Sequence, residues 1–331
     1  MPLLSTFGAA SARGYGFLAA GAASYAFVCS VGGAPAPVWR LIIETDGSGT
    51  NWGNLNGWAT SGYYTSGGAS NSTRGYIFGG VDFGGTPYAI SQLRSLTYTT
   101  SGDSTYSASL STGRANAMSA NNDTRGVAIS GSNYNTTVFP ITAMEYWTTA
   151  TGGSVGSFGS MSSSMGTQAT GTPPMSNTRI VFGGGDKGQF GATDVFTTTI
   201  EYITTATTGN SAAYGDLAEA RINIQGASSS TRGLFAGGQN KAGTNKSDIT
   251  YITIATTGNP TSFGNLTTTV GARCGGSNKT KAIFPTGATT NDKVTIATTG
   301  NGSAWGQVGT FSSGGFNTTA FSCNANGGLS A

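Results

Sequence analysis

The chain alternates short apolar stretches with polar, glycine-rich punctuation. A representative unit starts at Tyr251-Ile252-Thr253-Ile254-Ala255, a β-branched stretch that suits a pleated, half-buried surface. Thr256-Thr257-Gly258-Asn259 follows and reads as a hairpin turn, its glycine supplying the positive φ that other residues resist. Phe263-Gly264 opens the next short strand. In the preceding copy, a Gly/Ser-rich strand at 220–228 and then Arg232-Gly233-Leu234-Phe235-Ala236-Gly237-Gly238 come after the equivalent aromatic-glycine pair. The pattern predicts four short strands per unit and almost no helix. No apolar run approaches the roughly 18 residues that mark a membrane-spanning helix.

The unit recurs. Tyr202 to Asn210 and Val294 to Asn301 repeat the Thr-Thr-Gly word, Tyr146 to Gly152 (YWTTATG) is a further copy, and more divergent versions lie at 41–47 and 96–102. An aromatic followed by glycine comes next in each: Trp52-Gly53, Phe158-Gly159, Tyr214-Gly215, Phe263-Gly264 and Trp305-Gly306, while the copy at Tyr106 has lost its glycine. A second word, Thr-Arg-Gly, appears at Thr73-Arg74-Gly75, Thr124-Arg125-Gly126 and Thr231-Arg232-Gly233, with weaker forms at Thr178-Arg179 and Thr280-Lys281. Six residues past each basic position lies Gly80, Gly131, Gly185, Gly238 or Gly287. The basic positions are 51, 54, 53 and 49 residues apart. One such unit cannot bury both faces of its sheet, so units must stack, and radial stacking gives a β-propeller. A period near 50 matches kelch-type blades and exceeds the roughly 40–45 of WD repeats.

The ends predict how the ring closes. Ser5-Thr6-Phe7-Gly8 looks like the aromatic-glycine strand alone, and 308–328 like the two glycine-rich strands alone. Six full units lie between, the first with a degenerate strand at 24–32. The leftovers favour a seventh blade sewn from both termini, with 4–8 paired to strands in 308–328; six blades with spare strands is the alternative. All 331 residues then form one propeller domain.

Composition sharpens this. Glycine is 54 of 331 residues without a three-residue period, which excludes collagen, and 10% aromatics with a net charge of +3 exclude a disordered tail. The chain has no histidine, which removes Ser-His-Asp and Cys-His catalysis and His-ligated zinc. Cys29, Cys274 and Cys323 are too few for a disulfide framework or a Cys₄ metal site and leave room for one bridge. The 16 basic and 13 acidic residues are spread evenly, so no polybasic tract addresses nucleic acid or a membrane surface. The opening residues lack a basic segment followed by an apolar one, so no signal peptide is expected. No cofactor or metal is expected: clustered Asp/Asn tracts for calcium and a GxxxxGK[ST] phosphate loop are both lacking.

The words ITIATTGN (252–259), FGNL (263–266) and TRGLFAGG (231–238) resemble kelch-like repeat proteins of tailed bacteriophages, especially those of marine hosts. The opening LSTFGAASARGYGF (4–17) resembles the start of marine phage structural proteins. The resemblance covers nearly the whole chain. It departs from cellular kelch repeats, because only Gly79-Gly80, Gly184-Gly185 and Gly237-Gly238 keep a full diglycine. It implies a virion component, such as a tail fibre or other attachment appendage, that is assembled in the host cytoplasm. Its partners would be other virion proteins and a host surface receptor, with carbohydrate the expected class. Homo-oligomerisation stays open. A capsid- or neck-attached fibre or decoration protein, and a glycan-processing depolymerase, are the alternatives.

Candidate residues divide by whether they obey the repeat. Arg74, Arg125, Arg179, Arg232 and Lys281 recur with the blade; they suit either a cationic ligand belt or donors that tie down carbonyls at blade junctions, and recurrence favours the structural role. The recurring aromatics are expected to pack blade against blade. Glu145 and Glu201 occupy equivalent positions before the repeated tyrosine and are expected to be surface cross-strand residues, not a catalytic pair. Asp82, Asp186 and Asn240 are expected in turns. Tyr63, Tyr64, Phe83, Tyr88 and Tyr134 break the register in irregular connections and are the candidate ligand contacts. No catalytic residue is assigned, and the expected protein is not an enzyme.

Overall fold

The computed structural model describes residues 24–29, 36–45, 48–55, 63–64, 67–82, 88–133, 140–162, 169–188, 194–271, 274–286, 290–306 and 321–323. Among these residues there is no helix. Six antiparallel sheets of three or four strands and two small ribbons carry the fold. Blade 5 is representative. From the axis outward its strands are Gln225–Ser228, Arg232–Ala236, Lys246–Thr253 and Thr261–Val270. The innermost strand is buried at every position because the blades converge there, and only Gly, Ala, Ser and a few longer residues fit. The outer strands alternate exposed and buried residues, as a half-solvated surface requires.

Contacts between inner strands close the ring. Phe321–Cys323 lies against Gly67–Ser70 and against Gly276–Ser277, while Gly67–Ser70 meets Met118–Asn121 and Gln225–Ser228 meets Gly276–Ser277. Blade 4 is joined on both sides by Met175, whose sulfur accepts from the Asn121 amide and whose own amide donates to Ser228 Oγ. Blade 4 has three regular strands, Arg179–Gly183, Thr199–Thr204 and Ala212–Asp216. Its inner position holds Pro173-Pro174, which have no amide to give a ladder, and only Met175 bridges to Ile180.

Apolar packing lies between the blades. Six clusters of buried side chains fill the six junctions, for example Met118, Val127 and Phe158 of blade 3 against Ile180, Phe182 and Ile203 of blade 4. The junction of blades 6 and 1 is filled in the same way, by Ile283 and Trp305 against Ala26, Val28 and Leu41. A blade removed from the ring would lose an apolar face on each side, so the blades are stable only as a ring.

The blade count corrects the favoured seven. The described residues form six blades, and the chain's far end completes the first rather than adding another. Phe321–Cys323 is the innermost strand of a sheet whose other strands are Tyr25–Cys29, Ala36–Ile42 and Thr50–Leu55. Ala26 pairs with Cys323 and Val28 with Phe321. The degenerate strand of the first unit is the second strand of this blade, with Tyr25 at the register position of Arg125 and Arg232. Residues 4–8, expected to pair with the C-terminal strands, lie outside the described residues.

Candidate functional site

The topology gives the ring two unlike faces. Turns between the first and second strands, and between the third and fourth, come out on one side, here the turn face. Connections between the second and third strands, and from one blade to the next, come out on the other, here the loop face.

On the turn face the recurring words make contacts between blades. Arg125 Nη1 donates to the carbonyls of Thr205 and Ala206 of the next blade, at 3.1 Å each. Arg179 does the same to Ile254 and Ala255 (3.1 and 2.8 Å), and Arg232 to Ile296 and Ala297 (3.0 and 2.6 Å). Each guanidinium lies over the tyrosine of its own third strand, Tyr146, Tyr202 or Tyr251, with its central carbon 4.1–4.6 Å from the ring centroid. Lys281 reaches the Glu44 carbonyl at 3.2 Å. Blade 1 reverses the pair. Tyr25 stands at the arginine position and Arg40 at the tyrosine position, yet Arg40 still covers Tyr25 and still donates to the next blade, at Tyr98 O (2.8 Å). In blade 2, where Ser95 replaces the tyrosine, the hydroxyl of Tyr76 beside Arg74 donates to Thr149 O. Burial pushes the Tyr76 phenol above its ordinary range, so it stays a donor.

The aromatic-glycine word is a second junction. In the fourth strand the aromatic is buried, and the glycine leaves room for the Thr-Thr-Gly turn of the next blade. A Cβ on Gly264 would stand 2.1 Å from Gly300 O, and one on Gly159 (φ +145°) 2.2 Å from Gly209 O. The turn glycine in turn donates to the carbonyl of the aromatic, Gly300 N to Phe263 O at 2.9 Å and Gly209 N to Phe158 O at 2.7 Å. Tyr106 departs from the expected packing. It pairs with Arg94 where Ser157 pairs with Glu145 in blade 3, so Ser107 takes the place of the buried aromatic and the Tyr106 side chain is 58% exposed. A shallow groove of about 220 Å³ on this face is walled by Tyr214, Tyr251, Thr256, Thr257 and Asn259, members of repeated words.

The loop face gathers what breaks the repeat. Tyr63–Tyr64 pairs with Val81–Asp82 as a ribbon above the inner strands of blade 2, and Arg221–Ile222 with Gln239–Asn240 above those of blade 5. Counting from the shared register, Tyr63, Arg114 and Arg221 are equivalent. Tyr88 is 44% exposed, and its carbonyl accepts from the Asp82 amide at 2.7 Å. Tyr63, Tyr64 and Tyr88 thus share the loop end of blade 2, whereas Phe83 and Tyr134 lie outside the described residues. Val195, also exposed, sits in a loop of blade 4 on the same face. Asp186 Oδ1 accepts from the amides of Gly188 and Val195, closing its own loop.

Glu145 and Glu201 are buried, not on the surface. A β-bulge precedes each, between Met144 and Glu145 and between Ile200 and Glu201, and turns two successive side chains inward. Glu145 accepts from the Ser111 amide at 2.8 Å and from Arg114; Glu201 accepts from the Ser162 amide at 3.2 Å and from the hydroxyls of Ser162 and Ser211. Asp292 does the same for Thr267, with 2.6 Å to its amide and 2.8 Å to its hydroxyl. Each carboxylate ties its blade to the strand leaving the blade before it.

Arg114 and Arg221 were not singled out by the repeat. Arg114 is 1% exposed, donates to Ala143 O at 2.8 Å and pairs with Glu145; burial pushes its guanidinium below the ordinary range and Glu145 draws it back. Arg221 holds both oxygens of Asp248 at 2.8 Å beside a cavity of about 30 Å³, room for one water. The signal lay in Arg114-Ala115-Asn116-Ala117 and Arg221-Ile222-Asn223-Ile224, whose asparagines both take φ near +55° (55° and 56°).

No protein-family model and no curated protein matches the chain. The likeness to known proteins is one of fold. YjhT, a solved structure, superposes with a TM-score of 0.53 over 66% of this chain and 74% of its own, at 17% identity. That similarity supports the propeller architecture and carries nothing about ligand or activity.

Proposed function

We propose that this protein is a structural component of a phage virion, a tail fibre or other attachment appendage, whose loop face contacts a host surface receptor, with carbohydrate the expected class. One observation carries the reading: the recurring side chains of the turn face and fourth strands are engaged in joining blades, while departures from the repeat collect on the loop face. A rigid scaffold with variable loops is the usual architecture of a recognition protein. The kelch-like phage words in the sequence supply the virion context, together with the expected partners, other virion proteins. Within this reading the protein is not an enzyme. Among the described residues, the buried carboxylates Glu145, Glu201 and Asp292 lie in separate blades, and each is engaged by a backbone amide, not facing a second carboxylate as glycan hydrolysis requires.

The test is competition. Purified protein in excess should block adsorption of the particle that carries it, and labelled antibody should locate it on an external appendage. Unaltered adsorption with an internal location would contradict the proposal. Reducing ends released from host envelope polysaccharide would instead favour the depolymerase.

A further inference from the structure

On the loop face of blade 5 one carboxylate holds a lysine and an asparagine together. Lys246 Nζ lies 2.9 Å from Glu219 Oε2, and Asn240 Nδ2 donates to Glu219 Oε1 at 2.9 Å. The other end of the same carboxamide is also fixed, since Asn240 Oδ1 accepts from the Thr244 amide at 3.0 Å. The hairpin register accounts for the meeting. Gln239 bridges Asn245, Asn240 N donates to Thr244 O and Lys246 N to Gly238 O. Asn240 and Lys246 are therefore diagonal neighbours on one face of the ribbon, a separation that long side chains span.

The geometry points to a modification site: an intramolecular isopeptide bond between Lys246 Nζ and Asn240 Cγ, formed with Glu219 as the proton carrier. Glu219 Oε2 takes a proton from Nζ, and the neutral amine attacks Cγ. The oxyanion that develops on Oδ1 is held by the Thr244 N–H. Oε1 then delivers a proton to Nδ2, the Cγ–Nδ2 bond breaks and ammonia leaves. The second Nζ proton passes to water as the Nζ–Cγ amide forms, Glu219 returns to its carboxylate form, and the net change is loss of ammonia and one proton with no oxidant or co-reactant consumed. The amide of Asn240, with Lys246 and Arg221, holds the Glu219 carboxyl below the usual carboxylate range against the opposing effect of burial, so it rests as the carboxylate and carries the Nζ proton only transiently.

Attack on Cγ needs an unprotonated amine, so the reaction should be faster at alkaline than at neutral pH. The product clips the open end of the hairpin at 239–246, on the face offered to solvent. This inference is independent of the proposed attachment role.

The test is a mass. Purified full-length protein is held at mildly alkaline pH, and its intact mass and peptide map are followed with time. The expected result is loss of one ammonia together with a linked pair of peptides containing Asn240 and Lys246. Lys246→Arg keeps the charge on Glu219 but removes the nucleophile and should retain the full mass; Glu219→Gln should slow the reaction at least tenfold. Wild-type protein that keeps its full mass, conversion of Asn240 to aspartate without a link, or ammonia loss that persists in Lys246→Arg would each overturn the assignment.

Discussion

The two faces of the ring handle sequence in opposite ways. On the turn face the same contact is made again and again, and its chemistry survives even when the residues trade places. Tyr25 and Arg40 exchange the positions that Arg232 and Tyr251 hold in blade 5, but the stacked cation and the donation to the next blade persist. On the loop face one register position carries Tyr63, Arg114 or Arg221 in different blades. Of the two arginines, one is sealed with Glu145 and the other heads a half-exposed ion group. Repetition marks what holds the ring together, and its failure marks where a surface is free to specialise.

The largest effect expected is at the buried exception. Arg114→Ala strands the Glu145 carboxylate in the interior and should cost about 3–5 kcal/mol, read as a lowered denaturation midpoint. Replacing both partners with apolar residues of similar volume should recover most of that loss. If the single variant is as stable as wild type, the pair is not the buried contact described.

Gly264→Ala should follow, at about 1–3 kcal/mol, because its Cβ meets the Gly300 carbonyl at 2.1 Å. Ala108→Gly, at the blade 2 position equivalent to Gly264, should lose much less. Equal losses at the two positions would remove the steric explanation.

The arginine series comes next. Arg125→Ala or Arg232→Ala should cost on the order of 1–3 kcal/mol by leaving carbonyls without a charge-assisted donor. The reversed pair sharpens this. Tyr25→Arg and Arg40→Tyr should each destabilise alone, whereas the double variant rebuilds the arrangement of blade 5 and should return most of the stability. Additive losses in the double variant would break the equivalence of the two arrangements.

Much of this was legible in the chain. The β class and the propeller arrangement followed from words that recur along the chain. Blade number was not, because repetition is indifferent to where a unit is cut: 321–323 looked like part of a new blade and serves as the first strand of the first one. Glu145 and Glu201 looked exposed from their repeat position alone, whereas each lies buried beside a bulge, in phase with Trp147 or Ile203. Of the irregular aromatics, Tyr63, Tyr64 and Tyr88 come together at one end of blade 2, a placement no local pattern encodes. Arg114 and Arg221 shared a short word with an asparagine in an unusual backbone conformation, too brief to stand out.

The smallest effect on stability is expected at the exposed end. Tyr88→Ala should change it by no more than about 0.5 kcal/mol. The most direct test of the division between the faces is to measure melting temperature and host adsorption together on Arg232→Ala and Tyr88→Ala. The account predicts that Arg232→Ala melts lower but adsorbs normally while folded, and that Tyr88→Ala melts normally but adsorbs weakly. An Arg232→Ala protein with unchanged melting temperature and abolished adsorption, strongest at low salt, would place recognition on the turn face and contradict it.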